Sequence, residues 1–111
     1  FLLACLTNNF NANEDKSALD NNNQERQRIL GLFDFIIESR EVGVRKPEDK
    51  FYEIALTTTG CDPAEVIFLD DLGINLKPAK ALGITTIKVV DHIESIKELC
   101  EYLKISTERI I

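Results

Sequence analysis

The sequence predicts an α/β domain built on a parallel sheet with right-handed crossovers. Three observations carry that prediction. Short apolar runs at Phe1–Leu6, Val66–Leu69 and Ile84–Val90 have the length of strands. The segments between them place apolar residues at helical spacing. The run Val66-Ile67-Phe68-Leu69 then passes abruptly into Asp70-Asp71-Leu72-Gly73. An apolar run of this kind reads as a strand buried on both faces, and its carboxyl end is where open α/β sheets bind ligands.

Taken in order, Phe1–Leu6 reads as a first buried strand ending in Thr7-Asn8-Asn9. A hydroxyl and an amide at that end, followed by free backbone N–H groups, can hold a phosphate oxygen. The alternative is a turn built from Thr and Asn. Asn11–Gln27 is polar, with only Ala12, Ala18 and Leu19 to bury, and reads as a surface excursion with a helix ending near Gly31. Phe33–Ile37 suggests a short strand. Pro47 sits near the first turn of a helix whose buried face is Phe51, Ile54, Ala55 and Thr58, closed by Gly60. Lys46 stands at the mouth of that helix, where the dipole prefers anions, so it does not serve the helix; a solvated lysine is the alternative.

Asp62-Pro63-Ala64-Glu65 has the spacing of a capping box feeding the central strand. Neighbouring carboxylates on an extended chain point to opposite sides, so of Asp70 and Asp71 one can bind a hard cation while the other holds a water or a lysine. Capping of the next helix is the alternative. That helix runs from Asn75 to Leu82 and ends at Gly83, with Pro78 tolerable only in its first turn. Ile84–Val90 is a β-branched strand, and a closing helix aligns Ile93, Ile96, Leu99, Cys100 and Leu103 on one stripe. His92, the one histidine, falls in the turn before that helix with no second ligand near it and is assigned no chemistry.

Composition narrows the function classes. At 111 residues the chain is one domain, residues 1–111. With 13 basic against 19 acidic residues and no basic cluster, nucleic acid is an unsuitable partner. No apolar run approaches the ~20 residues of a membrane span, and the opening lacks the basic flank of a signal peptide. Cys5, Cys61 and Cys100 are odd in number and far apart, which fits neither a zinc site nor a disulfide framework and points to a reducing, intracellular setting. The chain has no methionine and begins inside an apolar run, so it is expected to be a piece of a longer protein.

Thr7-Asn8 after one strand, Lys46-Pro47 before a helix and Asp70-Asp71 after another strand form an ordered set. In that set the chain resembles the haloacid dehalogenase-like hydrolases, whose second, third and fourth motifs are a Ser or Thr, a Lys and an acidic pair. The runs Phe33–Ser39, Val42-Gly43 and above all Phe68–Ala79 resemble the N-terminal phosphatase domain of soluble epoxide hydrolases and the related domain of acyl-CoA dehydrogenase family members. The resemblance implies a three-layer α/β/α Rossmann-like core and a phosphatase acting on a small-molecule or lipid phosphate through an aspartyl-phosphate intermediate. It implies that Thr7 and Asn8 bind the transferring phosphoryl group and that Lys46 neutralises its charge and that of the nucleophile. Asp71 is implied as the direct Mg²⁺ ligand, with Asp70 acting through water or on Lys46. Cytoplasm is the expected compartment, with the peroxisome suggested by the resemblance.

The first motif of that family, Asp-x-Asp, and the cap segment have no counterpart in these 111 residues. The core is therefore expected to lack its central strand, to be inactive by itself and to bind Mg²⁺ weakly or not at all. Either the neighbouring strands pair directly or two edges stay open, and an open edge invites a partner chain and makes the isolated chain poorly stable. A truncated, non-catalytic protein that binds a partner is the second reading. A signal-receiver domain is disfavoured, since receivers place the acidic pair first and the lysine last.

Overall fold

Two parallel strand pairs organise the protein in a computed structural model that describes residues 1–8, 24, 25 and 27–104. The chain divides into two compact units, Phe1–Gly60 and Cys61–Ile111, with one pair in each.

In the first unit β1 (Ala4–Thr7) runs parallel to β2 (Phe35–Glu38), with Ala4 beside Phe35 and Thr7 beside Glu38. Parallel pairing demands a long crossover, which the polar excursion supplies. Its Asn-rich part lies outside the described residues; helical residues 27–30 close at Gly31, whose N–H donates to the Gln27 carbonyl at 2.9 Å. The first strand is shorter than the apolar run predicts, and Phe1, Leu2 and Leu3 are exposed. Asp34 is the cause: its carboxylate accepts the Leu3 N–H at 2.8 Å and so takes the donor that a longer ladder would use.

After β2 come α1 (Ser39–Val42), which the sequence reading passes over, and α2 (Asp49–Thr59). Gly43, at φ 80°, ends α1 with its N–H on the Ser39 carbonyl at 2.9 Å. Ile37 of β2 packs with Phe51 and Ala55 of α2, and Leu6, Val42, Val44 and Ile54 close around them. Phe51 is fully buried, and the Tyr52 ring stands perpendicular to it with centroids 6.3 Å apart. Two details of the expected face are corrected, since Thr58 is exposed and Tyr52 is buried. In the last turn Leu56 and Thr59 are half-buried while Thr57 and Thr58 are exposed, so the covered face passes through Thr59 rather than Thr58.

In the second unit a single 3₁₀ turn (Pro63–Glu65) leads into β3 (Ile67–Asp70), α3 (Gly73–Ala81), β4 (Thr85–Lys88) and α4 (His92–Leu103). β3 and β4 are parallel, with Ile67 beside Thr85 and Asp70 beside Lys88. α3 packs on both strands and α4 on β4. Leu76, Ala79, Ile84, Ile87 and Cys100 are buried here.

Four expectations need correction in this unit. The capping box does not form, because the Asp62 side chain makes no cap hydrogen bond and the turn closes through backbone bonds alone, Glu65 N–H to Asp62 C=O among them at 2.9 Å. Ile67, Phe68 and Leu69 are half-buried rather than enclosed on both faces. His92 lies in the first turn of α4, not before it. α3 starts at Gly73 rather than Asn75, which puts Pro78 in its second turn. The helix hydrogen bond lost at Pro78 is offset by burial of Leu76 and Ala79 on the packed face. Gly83, at φ 95°, closes the helix: its N–H reaches Lys80 C=O at 3.0 Å and the Ile84 N–H reaches Ala79 C=O at 3.1 Å.

β1 and β3 each have one strand neighbour among the described residues. No described helix is long and apolar enough to cross a membrane.

Candidate functional site

In the first unit the polar residues at the carboxyl end of β1 meet the loop that precedes α2. Thr7 is the last residue of β1, half-buried, and its hydroxyl has no hydrogen-bond partner among the described residues. Asn8 follows it and reaches across 38 positions to Lys46. Its Oδ1 accepts the Lys46 N–H at 2.9 Å, and its Nδ2 donates to the Lys46 carbonyl at 3.0 Å. Lys46 precedes a cis peptide bond to Pro47 and is itself half-buried. Three of the residues singled out in the sequence are thus brought together in one unit. Beside them, Glu38 is paired with Arg40 at 3.0 Å, so the acidic neighbour of Thr7 is already neutralised.

In the second unit the two adjacent carboxylates have different surroundings. Asp70 ends β3 and is buried at 9% exposure, whereas Asp71 is exposed. Asp70 Oδ1 accepts the Leu72 N–H at 2.9 Å, a local turn that aims the chain into α3 at Gly73. The Asn75 amide lies 3.4 Å from each Asp70 oxygen, too long for strong bonds but close enough to orient the carboxylate. Neither aspartate serves as the N-cap of α3, a position held by Leu72 without a side-chain bond. Asn75 is the member of this cluster that the sequence reading used only as a helix start. A poor helix former on the buried stripe with Leu76 and Ala79 is the signal that could have found it.

The donor chemistry for a divalent cation is restricted. Mg²⁺ takes hard oxygen ligands, commonly one or two carboxylates with several waters retained. Asp71 fits as one such ligand, because it is exposed and has no ion pair or hydrogen bond among the described residues. No group of three or more His, Cys, Asp or Glu side chains converges among the described residues. Asp71 is therefore one exposed carboxylate among the described residues and not a closed metal site.

Residues 6–89 match the family described as haloacid dehalogenase-like hydrolase. The chain is 42% identical over 99 residues to bifunctional epoxide hydrolase 2 of Rattus norvegicus, covering 89% of this chain and 18% of that protein. It is 41% identical over 96 residues to acyl-CoA dehydrogenase family member 10 of Mus musculus, covering 86% and 8%. A sesquiterpene phosphatase of Aspergillus oryzae is 38% identical over 68 residues, covering 61% and 35%. The chain thus spans less than a fifth of the first two relatives. Among solved structures, an uncharacterized protein from Corynebacterium glutamicum superposes with a TM-score of 0.74 at 19% identity over 95% of this chain and 72% of its own, which shows the fold. A family enzyme from Bacteroides thetaiotaomicron, solved with magnesium and inorganic phosphate, superposes with a TM-score of 0.52 at 35% identity over 54% and 30%. The mixed α/β architecture with parallel strands is that of a partial Rossmann-like core.

Proposed function

The chain belongs to the haloacid dehalogenase-like hydrolase family, and on that premise we propose that it is the part of a Mg²⁺-dependent phosphatase carrying motifs two to four. The observation that carries this reading is the cluster of Thr7, Asn8 and Lys46 at the carboxyl end of a parallel strand. Phosphoryl transfer needs little covalent chemistry from a protein and much positioned positive charge. The Thr7 hydroxyl and the backbone N–H groups that follow it would hold phosphoryl oxygens, and the Lys46 ammonium would offset their charge. Asp71 would hold Mg²⁺, which when bound neutralises charge on the phosphoryl group. Asp70 would keep its neighbour oriented through the Leu72 and Asn75 bonds.

The nucleophile of an aspartyl-phosphate mechanism is outside this set, because no Asp-x-Asp occurs in the 111 residues. Residues 1–111 would then form one partial domain that is inactive by itself and binds Mg²⁺ weakly. A small-molecule or lipid phosphate is the substrate class, supported by relatives that include a sesquiterpene phosphatase, and the cytoplasm or peroxisome the compartment. A second reading, a non-catalytic chain that binds a partner strand, is favoured by one observation: β1 and β3 each have one neighbour among the described residues.

Hydrolysis of p-nitrophenyl phosphate by the full-length natural protein, with and without EDTA, decides between these. Lys46→Ala and Asp71→Ala are each expected to lower the rate by about 10²-fold or more, as loss of a charge-stabilising group does. Wild-type rates in both variants would refute the assignment, and an inactive full-length protein would favour the second reading.

A further inference from the structure

We infer that the side chain of Asn8 is a positioning residue for Lys46 and not a ligand of the phosphoryl group. The inference rests on the phosphatase reading and goes beyond it by moving Asn8 from the substrate to the lysine. An asparagine side chain offers one carbonyl acceptor and an NH₂ donor. Here the acceptor takes the Lys46 N–H at 2.9 Å and the donor reaches the Lys46 carbonyl at 3.0 Å. The two bonds close a ring on one residue, in the way a strand holds its neighbour. The amide orientation is dictated by its partners, since a backbone N–H can only donate and a carbonyl only accept.

The placement explains why the residue is asparagine. Lys46 lies between α1 and α2, in no regular element, so helix or strand bonds do not place its backbone. A lysine carries its charge on a flexible four-carbon stem, and the volume its ammonium samples depends on where the Cα is anchored. Aspartate would keep the acceptor but lose the donor, leucine would lose both, and glutamine would add a methylene. The backbone N–H of Asn8 takes no part in the clasp, so a change of side chain does not remove it.

Binding of inorganic phosphate in the presence of Mg²⁺ to the full-length natural protein tests this, with Asn8→Ala, Lys46→Ala and the double variant. Exchange of the Lys46 backbone amide is read in parallel, with that of Ile37 in the core as the reference for global folding. Lys46→Ala is expected to weaken phosphate binding at least 10-fold and Asn8→Ala several-fold, while the double variant stays within about 2-fold of Lys46→Ala, because residues acting through one another do not add. The Lys46 amide is expected to exchange at least 10-fold faster in Asn8→Ala while Ile37 is unchanged. A double variant weaker by the product of the two single effects would place Asn8 on the phosphate itself and overturn the inference, as would an unchanged Lys46 amide. Wild-type phosphate affinity in Lys46→Ala would instead remove the phosphatase role of the lysine, and the positioning role with it, whatever the exchange shows. If Asn8→Ala loses Ile37 protection, Asn8→Asp is the second variant, and the same lack of additivity with Lys46→Ala is required of it.

Discussion

Asp70 and Asp71 are chemically identical neighbours, and replacing each with alanine should have opposite consequences. Asp70 is buried and accepts the Leu72 N–H at 2.9 Å, with the Asn75 amide at 3.4 Å from both oxygens. A hydrogen bond to a charged acceptor contributes about 1.5–3 kcal/mol. The short Leu72 bond carries most of that, and the long Asn75 contacts add little. Asp70→Ala is therefore expected to cost about 2–3 kcal/mol, and Asp70→Asn, which keeps an acceptor for Leu72, roughly half as much. Asp71 is exposed with no partner among the described residues, so Asp71→Ala should stay within about 0.5 kcal/mol. Urea unfolding followed by circular dichroism reads the difference. At an m-value of about 1–3 kcal/mol per molar, Asp70→Ala shifts the midpoint by about 0.7–3 M, while Asp71→Ala leaves it nearly in place and instead abolishes metal-dependent phosphate binding in the full-length natural protein. Equal midpoint shifts in the two variants, or a larger one for Asp71→Ala, would refute the division of labour between them.

Phe51→Ala, which empties a fully buried position beside Ile37 and Ala55, should destabilise by about 3–5 kcal/mol and abolish the cooperative thermal transition of the first unit. Gly83→Ala should cost about 1–2 kcal/mol in the same urea assay, because φ is 95° there although an added Cβ would meet Pro63 at an ordinary 3.7 Å. Gly73→Ala is the control: apart from its own helix backbone and chain neighbours nothing lies within 4 Å of the added Cβ and φ is not left-handed, so stability should hold or rise by about 0.4–1 kcal/mol. Asp91→Ala removes the side chain that accepts the Ile93 N–H at 2.9 Å at the start of α4 and should cost about 1 kcal/mol, with Asp91→Asn near neutral.

Much of the local structure was legible from short-range pattern. The β-branched run at Thr85–Lys88, the i, i+3, i+4 spacing that buries Phe51 and Ala55, and the glycines that close α2 and α3 are all dictated by neighbours within a few residues. The resemblance to the family was legible in the same way, because the words Thr7-Asn8, Lys46-Pro47 and Asp70-Asp71 are each contiguous, and residues 6–89 do match the family. Non-local contacts decide the rest. Leu3 lies outside the strand because Asp34 takes its N–H, and Tyr52 rather than Thr58 is buried because packing partners, not spacing alone, choose the covered face. Pro78 entered the second turn of α3 because burial of Leu76 and Ala79 outweighs one lost backbone bond.

By itself, then, the sequence determined the parallel α/β class, the order of the main strands and helices and the residue types at the strand ends, since hydrophobic period and turn chemistry act over a few residues; the short helix Ser39–Val42 is the element it did not mark. Only the tertiary structure decided what those residues do to one another. The Asn8 amide closes on a lysine 38 positions away, and of two adjacent carboxylates Asp70 is buried while Asp71 is open. No local rule contains those outcomes, because hydrogen-bond partners and burial depend on which distant segments the packed strands and helices bring within 3 Å.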